Sequence, residues 1–170
     1  MIPQANPVGG LLLIDKPPQI TSHDVVDRVR KLLRRKDVGH TGTLDPMATG
    51  LMVLLVGEAT KLSSYILNDS KAYRLQVLLG KKTDTGDITG RVVQEVARQQ
   101  PQETAQWESA LQSLMGEFDW PVPIYSAVKV GGEKLYEKAH RGQTSVETPV
   151  KRMVFSEGSL VSSEGVSACF

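Results

Sequence analysis

With a single cysteine, Cys169, the chain has no partner for an internal disulfide, and that scarcity fits a reducing compartment. Long apolar runs are missing as well. None approaches the roughly 20 residues that cross a bilayer. The opening "MIPQANPVGG" lacks the basic start of a secretory signal, and "LLLI" is too short for its apolar centre. Together these features predict a cytoplasmic protein with no membrane partner. An excess of one charge is also absent: 20 Lys and Arg stand against 19 Asp and Glu, so overall charge neither points to nor excludes a polyanion. Metal binding fails on inventory, because His23, His40, His140 and Cys169 show no ligand spacing. "GKKTD" lacks the leading glycine spacing of a phosphate-binding P-loop.

What is present reads as one globular domain. The apolar share of 40% and charged share of 23% are ordinary, and 170 residues suffice for one core. "GLLLIDKPP" is a short strand stopped at Lys16-Pro17-Pro18. "TSHD" carries a capping pattern, Thr21 as N-cap and Asp24 three positions on, and opens a helix over 22–36. Val25, Val29, Leu32 and Leu33 form its apolar stripe, and Arg28, Arg30, Lys31, Arg34, Arg35 and Lys36 crowd the other face. That basic run is either a solvated face or a phosphate-contacting stripe. "LMVLLV" predicts a second strand and residues 58–68 a second helix.

"AYRLQVLLG" alternates as a long strand with Tyr73 half-buried inside it. "KKTDTGDITG" is turn chemistry, and "RVVQEV" is the returning strand of a hairpin. A helix over 101–116 places Trp107, Leu111 and Leu114 on one side, with Gly116 at its end. A strand near "YSAVKV", a short helix near "EKLYEKAH", and strands at "KRMVF" and "SLVSS" follow. Antiparallel hairpins with interspersed helices, rather than regular βαβ units, make the class α+β. "EGVSACF" stops on apolar residues at what looks like the start of a strand, which predicts a C-terminal truncation.

The most informative stretch is "VGHTGTLDPMATG", residues 38–50. It holds three glycines, one proline and one carboxylate, Asp45, directly before an apolar strand. Asp-Pro commonly opens a turn, because proline fixes φ and the Asp side chain bonds the backbone beyond it. The alternative is a carboxylate held in a pocket for chemistry. Gly39, Gly42 and Gly50 would permit close backbone approach, and Thr41, Thr43 and Thr49 would orient the acid. From the residues alone the two readings stand level, and His40 alone reads as an ordinary loop residue.

Four ordered blocks tip the balance: "LLLIDKPPQITSHDVVDRVRKLL", "GHTGTLDPMATGLMVLLVGEATKL", "KAYRLQVLLGKKTDTGDITG" and "PIYSAVKVGGEKLYEKAHRG". Over residues 10–150 they closely resemble the TruB family of tRNA pseudouridine synthases. The resemblance implies a pseudouridine synthase fold and an isomerase that converts uridine to pseudouridine at position 55 of the tRNA T-loop. It implies a flipped base, a catalytic aspartate matched by Asp45, no cofactor, no metal and a monomer. Cleaving the bond to C1′ builds positive character there, which a carboxylate can stabilise or attack. The acid must be ionised, so the loop is expected to donate hydrogen bonds to it.

By the same resemblance Tyr73 packs on the extruded base and His40 engages the RNA where the base has left. Lys16, Thr43 and Asp87 are supporting candidates. Residues 125–149 match a thumb over the T-loop, with Lys129, Lys134, Lys138 and Arg141 as backbone contacts. His140 stands where the family usually has arginine. The family also implies further catalytic strands and a PUA-like RNA-binding domain after residue 170, including a "KGTYIR"-like strand whose arginine pairs with the aspartate. The competing expectation is therefore a non-catalytic tRNA-binding or folding-helper fragment.

Overall fold

The computed structural model describes residues 9–67, 69–96, 100–126, 128–143 and 147–170, without the side chain of His140. Residue 68 of the second expected helix, residue 127 of the "YSAVKV" strand, residues 144–146 of the thumb and most of the opening segment lie outside them. The chain divides into two compact units, residues 1–72 and 73–170.

In the first unit, β1 (Gly10–Lys16) leads to α1 (Ser22–Leu33), β2 (Val38–His40) and β3 (Gly50–Val56). Both outer strands pair antiparallel with β3, in the order β1-β3-β2. Side chains along β1 alternate by the period of two, so Leu12 and Ile14 face inward while Leu11, Leu13 and Asp15 face out. The inward face meets Val25, Val26 and Val29 of α1 around Val38, Met52, Leu54 and Val56. Each fully buried valine contributes roughly 1.5–3 kcal/mol, more than the about 1 kcal/mol of an N-cap. Packing therefore holds the helix, and the cap sets where it begins.

That cap is the expected one. Thr21 Oγ1 accepts from the Asp24 amide at 3.1 Å, and the Asp24 carboxylate accepts from the Thr21 amide at 2.8 Å. The helix ends three residues earlier than expected, however. Arg34 adopts the left-handed conformation, φ 52°, and its amide reaches back to the carbonyls of Arg30 and Lys31. The expected apolar stripe is also shorter: Val25 and Val29 are buried, but Leu32 and Leu33 in the last turn are exposed, Leu32 by 81%. The second expected helix is a 3-10 stretch at Gly57–Leu62 followed by α2 (Ser63–Leu67).

The second unit holds β4 (Gln76–Leu78), β5 (Lys81–Thr83), β6 (Val92–Glu95), α3 (Thr104–Ser113), β7 (Gly116–Pro121), β8 (Lys129–Val130), β9 (Glu133–Lys134), α4 (Leu135–His140), β10 (Val150–Phe155), β11 (Ser162–Glu164) and β12 (Ser167–Cys169). Every strand pairing is antiparallel, in sheets β11-β12-β4, β7-β10, β5-β6 and β8-β9. The mixture is α+β, as expected. The hairpin β5–β6 matches its turn chemistry, and Trp107 of α3 is buried edge-on to Phe170, ring centroids 6.1 Å apart.

Two expectations fail here. The long strand at 72–80 contracts to β4, because regular pairing reaches only residues 76–78 opposite β12. Tyr73 thus precedes the strand and is 65% exposed rather than half-buried. Gly116 does not end a helix: α3 closes at Leu114, and Gly116, φ 115°, begins β7.

Candidate functional site: the Asp45 loop

The backbone on each side of Asp45 is tied down. Ser22, buried in the first turn of α1, receives the Leu44 amide at 2.9 Å and donates its hydroxyl to the Leu44 carbonyl at 2.9 Å. On the far side, the Pro46 carbonyl accepts from the Gln19 amide at 2.7 Å and from Lys16 Nζ at 3.1 Å. Lys16 is wholly buried, and its ammonium also donates to the carbonyls of Pro17 at 3.0 Å and Ile20 at 2.9 Å. Three carbonyl oxygens thus take its three N–H groups, the arrangement a buried cation requires. Lys16 ties the end of β1 to the backbone just after Asp45.

Within the loop, the Ala48 amide donates to the Asp45 carbonyl at 3.0 Å, closing a turn across the Asp-Pro pair. Gly50 then enters β3 at φ 119°, a conformation that disfavours any side chain. Gly39 and Gly42 have no such need: a Cβ at Gly39 would meet nothing within 4 Å, and one at Gly42 only the Lys71 side chain at 4.0 Å. The close backbone approach expected of all three glycines holds at none of them, since a Cβ at Gly50 would also meet nothing within 4 Å; Gly50 is required by its φ alone.

The carboxylate itself stands differently from expectation. Asp45 is exposed, and among the described residues nothing donates a hydrogen bond to its side chain. Several of the nearest donors are already committed. The Leu44 amide goes to Ser22, the Ala48 amide to the Asp45 carbonyl, and the Thr41 amide and hydroxyl to the Val53 carbonyl, at 3.1 and 3.4 Å. Thr43 and Thr49 are exposed and do not orient the acid. An apolar cavity of about 190 Å³ in this unit does not involve Asp45: it is bounded by Gly9, Gly10, Leu11, Leu12, Leu33 and Val56. It lies at the opposite end of the β1–β3 pair, roughly 20 Å along the strands.

His40 ends β2 half-buried, opposite Leu54, with Nδ1 buried and unpartnered among the described residues. It shares the loop with Thr41, Thr43 and Asp45. Tyr73 and Asp87 belong to the second unit. Asp87 is occupied by its own turn, accepting from the Thr89 hydroxyl at 2.6 Å, the Thr89 amide at 2.8 Å and the Thr85 hydroxyl at 3.0 Å. Those bonds, the Thr89 hydroxyl foremost, hold its carboxyl below the ordinary range.

The expected thumb cations differ among themselves. Lys134 lies 3.9 Å from the Glu137 carboxylate and 3.3 Å from the Tyr136 hydroxyl, and Arg141 is paired with Glu133. The Glu133 bond raises Arg141 further above its usual value and lowers Glu133. Lys129 on β8 is exposed and has no such pair among the described residues. The described residues hold no cluster of three metal-ligating side chains and no helix long and apolar enough to cross a membrane.

Ser22 and Gln19 were not foreseen as site residues. Ser22 follows the N-cap directly, where a serine is unremarkable by itself. Gln19 follows Pro17-Pro18, a turn signal, and its φ of 67° aims its amide at Pro46.

Known proteins resemble this chain throughout. The family model described as TruB family pseudouridylate synthase (N terminal domain) matches residues 30–168. A tRNA pseudouridine synthase B of Bdellovibrio bacteriovorus is 51% identical over 150 residues, covering 88% of this chain and 48% of the relative. One from Caldicellulosiruptor saccharolyticus is 51% identical over 150 residues, covering 88% of the chain and 51% of its own length. The chain therefore spans about half the length of the curated relatives it matches. Among solved structures, an H/ACA RNP bound to a substrate RNA containing 2′-deoxyuridine superposes over 94% of this chain and 36% of the neighbour, with TM-score 0.63 and 19% identity. A Cbf5-Nop10-Gar1 complex superposes over 94% of this chain and 37% of its own, with TM-score 0.58 and 21% identity. These two show the likeness of fold. A loop whose backbone is pinned on either side of one aspartate, and a family match over most of the chain, lead to one conclusion: this chain belongs to the TruB family of pseudouridylate synthases, within its N-terminal domain.

Proposed function

We propose that this chain carries the aspartate loop of an enzyme that isomerises uridine to pseudouridine in the T-loop of tRNA, at position 55. The observation that carries the reading is the double anchorage around Asp45: Ser22 grips Leu44, and Lys16 with Gln19 grips Pro46. A rigid backbone beneath an exposed carboxylate suits a group that must meet a macromolecular substrate from outside.

In the proposed reaction the C1′–N1 bond of an extruded uridine breaks, the freed uracil turns, and a C1′–C5 bond forms. The C5 proton leaves to a base and N1 ends protonated, so the reaction is an isomerisation with no external reactant. Asp45 either bonds to the sugar or stabilises the positive character at C1′. Tyr73 stacks on the turned-out base, and His40 occupies the gap it leaves in the RNA. Residues 125–149 close over the loop, with Lys129 the cation best able to take a phosphate.

A second reading is favoured by one observation. The Asp45 carboxylate accepts no hydrogen bond within its own loop, so nothing there fixes its orientation. The 170-residue chain then binds tRNA without turning it over, and the orienting donor comes from a segment such as the half of its relatives that it does not cover. Treating tRNA with this chain, and with this chain continued by the second half of the Bdellovibrio relative, separates the two by chemical labelling of pseudouridine. The leading reading expects product that disappears in Asp45→Asn while RNA binding remains. Turnover that survives Asp45→Asn removes the aspartate from its role.

A further inference from the structure

Helix α1 and the turn after it hold six cations, and the structure sorts them into two kinds. Arg30 is committed, donating to Asp27 Oδ1 at 3.0 Å and to the Val38 carbonyl at 2.9 Å. Arg35 is committed, gripping both oxygens of Asp37 at 2.9 and 2.5 Å. The side chains of Arg28, Lys31, Arg34 and Lys36 are exposed and make no hydrogen bond or ion pair among the described residues. The acid nearest Arg28 along the helix, Asp24, is spent on the N-cap.

We infer that these four side chains form a phosphate-binding ledge for the base-paired stem adjoining the RNA loop presented to Asp45, an inference that rests on the reading proposed above. Position favours it. Ser22, which begins α1, holds Leu44 beside Asp45, so the helix starts at the acid loop and runs away from it. At 1.5 Å per residue Arg28 sits about 9 Å along the axis from Ser22, and Arg34 about 18 Å. An RNA loop delivered to Asp45 is closed by a stem whose phosphates continue over just such distances. A duplex stem is recognised mostly by its backbone and shape, which calls for cations not already neutralised. Among the thumb cations, Lys134 and Arg141 are already in close ion pairs with carboxylates, whereas the four on the ledge form none among the described residues.

The test is the salt dependence of tRNA binding by this chain, wild type against a variant with Arg28→Gln, Lys31→Gln, Arg34→Gln and Lys36→Gln. Each lost phosphate contact lowers the slope of log K against log salt by about 0.9, so the variant's slope falls by about 3–4. A slope equal to wild type overturns the ledge. So does loss of binding to anionic phosphatidylserine vesicles with the tRNA slope unchanged, which assigns the cations to a membrane surface. If the fourfold variant melts without a cooperative transition, single Arg28→Gln and Lys31→Gln changes answer the question, each expected to remove about 0.9. Binding is read without turnover, so failure of the Asp45 chemistry leaves this measurement distinct.

Discussion

The buried ammonium of Lys16 donates to the Pro46 carbonyl over 3.1 Å, joining two residues thirty apart in sequence. Through that bond the end of β1 holds the residue after Asp45. Lys16→Met should leave the carbonyls of Pro17 and Ile20 without this donor and Pro46 with Gln19 alone. The expected loss is about 2–4 kcal/mol in a urea titration. Lys16→Arg should not restore it, because the site closes around a compact ammonium and a planar guanidinium is larger. A loss below about 0.5 kcal/mol would deny the anchor any weight.

Ser22 grips the other side of Asp45 with one hydroxyl. Ser22→Ala leaves both backbone groups of Leu44 short of a partner, at an expected cost of about 1–3 kcal/mol. Amide hydrogen exchange gives the local readout. The Leu44 amide should lose protection selectively, while Leu54 and Val56 in β3 change only with global stability. Unaltered exchange at Leu44 would mean that the loop holds its shape by other means.

Two glycines of the same loop should respond in opposite directions. Gly50→Ala forces a side chain onto φ 119° and should cost about 1–3 kcal/mol. Gly39→Ala meets open space at an ordinary φ and should be neutral or stabilising by up to about 1 kcal/mol, through a stiffer unfolded chain. Thermal melts of the pair decide it, and equal losses would contradict the backbone described.

Acid should loosen the start of α1. The Thr21 hydroxyl, then the Thr21 amide, hold the Asp24 carboxyl below its ordinary value. Because the folded value is depressed, the stabilisation is complete above the unfolded value near about 4, and it fades as pH falls through the folded one. Melting temperatures taken downward from about pH 6 should therefore decline less steeply in Asp24→Asn than in the native chain. The exposed site makes the difference small. An identical decline would show that the cap contributes nothing to the acid side.

Much of the first unit was legible because its signals are local. Alternation marked β1, the capping residues marked where α1 begins, and the apolar run marked β3. The end of α1 was not legible, because Arg34 in the left-handed region carries none of the glycine that usually announces such a stop. The strands β2 and β7 escaped notice because neither the three residues 38–40 nor "GEFDWP" alternates clearly; both exist through their partners. In the candidate site, the punctuated loop drew attention to Asp45 and the family motif to Lys16, whose bond to Pro46 the structure shows. The sequence could not show that the Thr41, Leu44 and Ala48 donors are spent elsewhere than on the carboxylate. Which donor serves which acceptor is settled by tertiary pairing between segments twenty to thirty residues apart.

The Ser22–Leu44 grip has a mechanical corollary. Val25, Val26 and Val29 seat α1 on the sheet, and Leu44 packs against the same cluster, so helix and acid loop move as one rigid piece. Under the function proposed above, the length of α1 would gauge how far along a bound strand a phosphate sits when a nucleotide reaches Asp45. Inserting one helical turn between residues 27 and 28 would recalibrate that gauge by about 5 Å.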